Sequence, residues 1–109
     1  MRKRAALGAL AVLFATAPAL GLAADIPAPR KAELQRLLVH DCGSCHGMTL
    51  KGGLGAPLLP EALAAKDRDA LADVILDGVP GTPMPPWRPL LSRDEALLLV
   101  DMLKKGQTP

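Results

Sequence analysis

The chain has 109 residues, a formal net charge of +2, a hydrophobic fraction of 50% and an aromatic fraction of 2%. That length allows one small domain. The scarcity of aromatic side chains and the low charge leave nucleic-acid binding without its stacking and electrostatic basis, and the hydrophobic excess sits in one N-terminal stretch, so it does not describe a membrane protein.

That stretch has the three parts of a secretory signal. Arg2, Lys3 and Arg4 make a positive start, Ala5 to Ala17 is an apolar run broken by Pro18, and Gly21-Leu22-Ala23 offers small residues where a signal peptidase reads them. Cleavage is expected after Ala23; a cut after Ala24 would put Leu22 where a small side chain is preferred. The run is short for a bilayer span, so residues 1–23 are expected to be a signal peptide and residues 24–109 an exported domain in the periplasm, with no stable membrane insertion. The signal holds three of the 13 basic residues and none of the 11 acidic ones, so the remaining 86 residues carry ten against eleven, a net of −1. The basic character belongs to the signal.

After a proline-containing lead-in over residues 25–29, residues 30–40 have helical period, with Leu34, Leu37 and Leu38 on one stripe and charged residues largely elsewhere. This helix runs into Cys42-Gly43-Ser44-Cys45-His46, the C-x-x-C-H pattern of c-type haem attachment. Two thiols bonded to two vinyl groups of one porphyrin must lie a short, fixed distance apart, and the next imidazole then faces the iron. A thioredoxin-like pair needs a strand and a βαβ pattern around it, which the helical run before Cys42 lacks. A structural zinc site needs four ligands, here only the cramped set Cys42, Cys45, His46 and His40. A disulfide would leave His46 unexplained. An 86-residue chain buries little core unaided, and a covalent porphyrin would serve as a large apolar core element.

Residues 47–60 hold four glycines and two prolines and read as an irregular loop. Pro60 is suited to open a short helical turn through Ala65. Asp67 reads as the N-cap of a helix through Asp77, with Leu71, Val74 and Ile75 as its apolar stripe and Gly78 and Pro80 as its stop. Residues 79–91 contain five prolines and cannot form a regular helix or central strand. Ser92 and Glu95 form a capping box, with Leu91 placed for a staple contact, for a final helix that ends at Gly106. Its apolar residues, Ala96 to Val100 with Met102 and Leu103, surround most of its circumference, so burial against the first helix and the prosthetic group is expected.

An electron-transfer haem usually fills both axial positions, and a thioether opposite the histidine raises the potential. The candidates are Met48, Met84, Met102 and His40. Met48 is two residues from His46 and confined to the proximal side, Met102 suits a helix core, and His40 suits a helix end. Met84 lies 38 residues after His46, between prolines in Gly81-Thr82-Pro83-Met84-Pro85-Pro86-Trp87. A proline-stiffened loop can hold a weak iron–sulfur bond, so Met84 is the expected second ligand. The His46 ring is expected to donate its other N–H to a carbonyl of residues 55–57. Trp87 has two readings, haem contact or core packing; Arg88 likewise, propionate partner or solvated charge.

With the attachment motif, ligand loop and helices in place, the chain resembles the class I c-type cytochromes along its whole exported part. It is similar to the cytochrome c-55X (NirC-type) family of denitrifying bacteria in Cys42–Gly47, Gly52-Gly53-Leu54-Gly55, Pro60-Glu61-Ala62-Leu63 and Gly81–Trp87. The resemblance implies an all-α fold of three to four helices around one haem c, held by thioethers to Cys42 and Cys45 and ligated by His46 and Met84. Class I chains often read Gly-Pro-x-Leu after the glycine loop. Here Gly55-Ala56-Pro57-Leu58 moves the proline one place along, so Ala56 must supply the carbonyl for His46 or the loop is reset. The implied function is a monomeric, non-enzymatic periplasmic one-electron carrier for the dissimilatory nitrite reductase system, as donor to the reductase or in maturation of its d-type haem. The expected partner is a redox protein, met through local patches such as Lys51, Lys66 and Arg88. Two alternatives stand beside it: an open-site haem enzyme or gas sensor without Met84 ligation, and an interaction protein of haem maturation.

Overall fold

The computed structural model describes Val12 and residues 25–108. The expected signal peptide, Val12 apart, and its cleavage point lie outside the described residues. Every regular element among the described residues is helical: α1 (Ala28–Leu37), a π-helical turn (Leu38–Cys42), α2 (Gly43–His46), α3 (Pro60–Leu63), α4 (Arg68–Asp77) and α5 (Arg93–Lys105). The residues joining α1, the π turn and α2 all keep right-handed helical dihedrals. They form one rod ending at His46, so the domain has four helical bodies.

The rod starts two residues before the expected Arg30. Pro29 falls in the first turn, where a missing N–H costs no helical hydrogen bond. In the π turn the Gly43 N–H reaches back five residues to the Leu38 carbonyl. Such single wide turns are rare and gather at functional sites, and helical periodicity gave no sign of this one.

The other boundaries follow local chemistry. Asp67 accepts the Ala70 N–H at 2.8 Å and caps α4. Ser92 and Glu95 complete the reciprocal capping box of α5. Leu91 and Ala96, the staple pair, are both buried. Gly106 ends α5 in the left-handed conformation, with its N–H on Leu103 and that of Gln107 on Met102.

The core joins Leu34 and Leu38 of the rod to Leu63, Ala72, Leu76, Ala96, Leu99, Val100 and Leu103. Helix α5 packs most extensively on α4, then on α3 and α1. Bidentate Arg68–Asp101 bonds and an Arg93 fork to Asp69 and Asp73 hold the α4–α5 crossing. The α1 contact is polar at its edge: Arg30 Nε donates to Glu95 at 2.6 Å while reaching Glu33 and the Leu90 carbonyl. Arg30 thus ties the first helix to the capping box of the last. Leu50, the one described non-glycine residue with positive φ (60°), is buried, and its packing offsets a backbone strain of about 1–2 kcal/mol.

Candidate functional site

A cavity of about 320 Å³ opens between the end of the rod, the loop over residues 54–58, α4 and the proline loop. Its size falls in the range of cofactor sites, about 300–1,000 Å³. The rod contributes Asp41, Cys42, Cys45 and His46; α4 contributes Leu71, Val74 and Ile75; the proline loop contributes Met84 and Trp87, among others. Asp41 is the one carboxylate on the lining, and no lysine or arginine lies on it.

Helical geometry sets the first wall. Positions 42, 45 and 46 are spaced i, i+3 and i+4, which places their side chains on one face of the rod. Both thiols are free. Burial, aided by Asp41, pushes the Cys42 thiol up to about 11, so it is protonated at neutral pH.

His46 is fixed by the glycine loop. Gly52 donates to the His46 carbonyl at 2.9 Å and Gly55 to the Cys45 carbonyl at 2.8 Å, folding the loop back over the motif. The His46 Nδ1 lies 2.7 Å from the Ala56 carbonyl. A carbonyl can only accept, so Nδ1 carries the proton and Nε2 keeps a free lone pair. The expected carbonyl is therefore that of Ala56, despite the displaced proline. The approach depends on Gly55: a Cβ there would stand 2.7 Å from both Cε1 and Nδ1 of the ring.

The second wall hangs from the end of α4. Trp87 and Arg88 donate backbone N–H groups to the carbonyls of Ile75 and Leu76, both at 3.1 Å. Gly78 has φ +67°, and a Cβ on it would meet the Met84 carbonyl oxygen and the Pro85–Pro86 backbone at 2.7 Å. Only glycine lets the Met84 strand lie so close to the helix end. Pro80 and Gly81 form the centre of a type II turn, with φ +79° at Gly81 and the Thr82 N–H on the Val79 carbonyl.

Of the four second-ligand candidates, Met84 alone shares the cavity with His46. Met48 is 62% exposed, Met102 is buried in the core and His40 is exposed. Trp87 lines the cavity and also packs against the core, so it meets both of its readings. Arg88 lies off the lining and is paired with Asp77. No α5 residue lines the cavity; the buried residues Ala96, Leu99, Val100 and Leu103 of α5 share the core with Ala72 and Leu76 of α4 and with Leu34 and Leu38 of the rod. Among the described residues, no three His, Cys, Asp or Glu side chains form a metal-holding group. Sequence reasoning reads Gly78 only as a helix stop and Gly55 only as part of a glycine-rich stretch; neither pattern marks the glycine under the His46 ring or the one against the Met84 carbonyl.

Two free thiols, an imidazole with an available lone pair, a soft thioether and apolar walls together fit a covalently held haem c. Val74 (43% exposed) and Leu54 (77% exposed) are the apolar surface such a group would cover.

Residues 29–102 match the family model described as cytochrome c oxidase, cbb3-type, subunit III. The chain is 55% identical over 100 residues to cytochrome c55X of Pseudomonas aeruginosa, covering 91% of this chain and 83% of that protein. It is 48% identical over 99 residues to cytochrome c55X of Paracoccus denitrificans, covering 91% and 96%. Its fold is similar to the solved c-type cytochrome NirC, with a TM-score of 0.75 at 54% identity, over 77% of this chain and all of that one. Among the described residues, no helix is long and apolar enough to cross a membrane.

Proposed function

The chain belongs to the c-type cytochromes, electron carriers with covalently bound haem c, in the cytochrome c55X family, and from that premise we propose that it is a periplasmic one-electron carrier serving the dissimilatory nitrite reductase system. One haem c would be attached through Cys42 and Cys45, with its iron held by His46 and Met84, and would supply reversible one-electron chemistry. The observation that carries the reading is that these four residues line one apolar cavity.

The chain's own part is to hold and tune. Ala56 keeps the His46 ring in one tautomer and orientation. The α4 stripe and Trp87 keep water from the cavity, and a dry environment with a thioether ligand favours ferrous iron. Nδ1 of His46 and the amide of Met84 are both hydrogen-bonded within the chain, so little reorganisation would accompany each electron. The polypeptide performs no bond chemistry. The likeness to cytochrome c55X and NirC supports the nitrite reductase assignment, and a monomer docking briefly over a small area suits a carrier.

The optical spectrum tests the ligand set. The expected result is a low-spin haem whose weak far-red sulfur-to-iron band disappears in Met84→Ala. A high-spin ferrous form that takes up carbon monoxide readily would overturn it and favour the open-site reading. Deleting the gene separates the two roles: slow nitrite turnover with intact d-type haem means electron supply, and lost d-type haem means maturation.

A further inference from the structure

The proline loop closes on itself before reaching the cavity. The Val79 N–H donates to the Met84 carbonyl at 3.2 Å, one rung of a small hairpin. A second direct rung would join the Met84 N–H to the Val79 carbonyl. Instead the Thr82 hydroxyl stands between those groups, donating to the Val79 carbonyl at 2.7 Å and accepting the Met84 N–H at 3.3 Å. A hydroxyl alone can do both at once. Thr82 itself is exposed, and α4 and the bonds from Trp87 and Arg88 anchor the surrounding chain, so the bridge bears on the loop and little on the core.

We propose that the Thr82 hydroxyl is a positioning residue for the Met84 sulfur, holding the loop in its ligating shape so that exogenous ligands do not displace the thioether. This rests on Met84 as axial ligand. A thioether binds iron weakly, and its occupancy depends on how narrowly the loop confines it. Without the hydroxyl, the Met84 amide turns to water and the loop samples more conformations, at an entropic cost to each return.

The experiment titrates ferric holoprotein with imidazole and follows loss of the far-red band in wild type, Thr82→Val, Thr82→Ser and Met84→Ala. Valine keeps the shape and removes the hydroxyl; serine keeps the hydroxyl. The bridge is worth about one hydrogen bond, so imidazole should displace the sulfur about fivefold more readily in Thr82→Val and within about twofold of wild type in Thr82→Ser. The guanidinium midpoint should fall by no more than that one hydrogen bond in Thr82→Val and hold in Thr82→Ser, since a merely structural residue would lower it without easing imidazole entry. A wild-type imidazole titration in Thr82→Val, an equal shift in both variants, or a fall in global stability larger than the imidazole shift implies overturns the proposal while Met84 ligation stands. A band absent from wild type, or retained in Met84→Ala, removes Met84 from the iron and the proposal with it.

Discussion

Gly55→Ala isolates what holds the His46 ring. The new Cβ would lie 2.7 Å from His46 Cε1 and Nδ1 and 3.1 Å from Cγ. Carbon atoms in contact rest about 3.5–4.0 Å apart, so the ring must retreat by about 1 Å. That displacement takes Nδ1, now 2.7 Å from the Ala56 carbonyl, beyond hydrogen-bonding range. The lost bond costs about 1 kcal/mol and the overpacking about 1–3 kcal/mol, giving a destabilisation of about 2–4 kcal/mol. Gly81→Ala is the matched control, because its Cβ meets nothing within 4 Å and its only burden is φ +79°; it should cost about 1–2 kcal/mol of backbone strain. Guanidinium unfolding of the holoproteins measures both. Spectroelectrochemical titration should also show the Gly55→Ala potential rising, since an imidazole without its carbonyl partner is a poorer donor to ferric iron. The reasoning is refuted if Gly55→Ala costs no more than Gly81→Ala and leaves the potential unchanged.

Two further outcomes follow from charges away from the cavity. Arg30 holds the Glu95 carboxyl below its ordinary value of 4.5, chiefly through their hydrogen bond, and a depressed carboxylate contributes stability above its unfolded pKa that is lost as pH falls through the folded one. Stability measured by chemical denaturation should therefore drop below about pH 4.5 in wild type and drop less steeply in Glu95→Gln, and an unchanged acid limb would count against the clamp. Lys51 is exposed beside the glycine loop, so Lys51→Glu should slow electron exchange with an acidic redox partner at low ionic strength and converge with wild type at high salt; equal rates at low salt exclude Lys51 from the docking patch.

Much of this architecture is legible in local sequence chemistry. The Asp67 cap, the Ser92–Glu95 box and the Gly78 and Gly106 stops each depend on a few adjacent residues, and each occurs where the residues place it. Met84 stands apart in the sequence because its rivals lie in contexts that confine them, beside the motif, in an apolar helix and at a helix end, and of the four it alone shares a cavity with His46. What could not be read depends on which groups tertiary contact brings together. Leu71, Val74 and Ile75 scan as one stripe, but α4 has a second apolar face, Ala72 and Leu76, buried on α5. A single small helix between a cavity and a core needs both faces, and periodicity detects the larger. The carboxylate that would retain Arg88 is eleven positions upstream, and the contact that makes Gly55 indispensable is with a ring nine positions upstream. Neither separation leaves a pattern in the sequence.

The wide turn at Leu38–Cys42 works as a phase shifter between two jobs done by one rod. Up to Leu38 the rod turns its leucines inward; from Cys42 it turns thiols and an imidazole toward the cavity. A helix advances about 100° per residue, and the turn absorbs one residue more than an α-turn would. Closing this stretch into ordinary α-turns with every residue kept would swing the attachment face by about 100° relative to Leu34 and Leu38. Cys42, Cys45 and His46 would still be present, in a chain that could seat its core or present its cysteines to the porphyrin, but not both. The wide turn before Cys42 is therefore as much a part of the attachment geometry as the spacing within the motif.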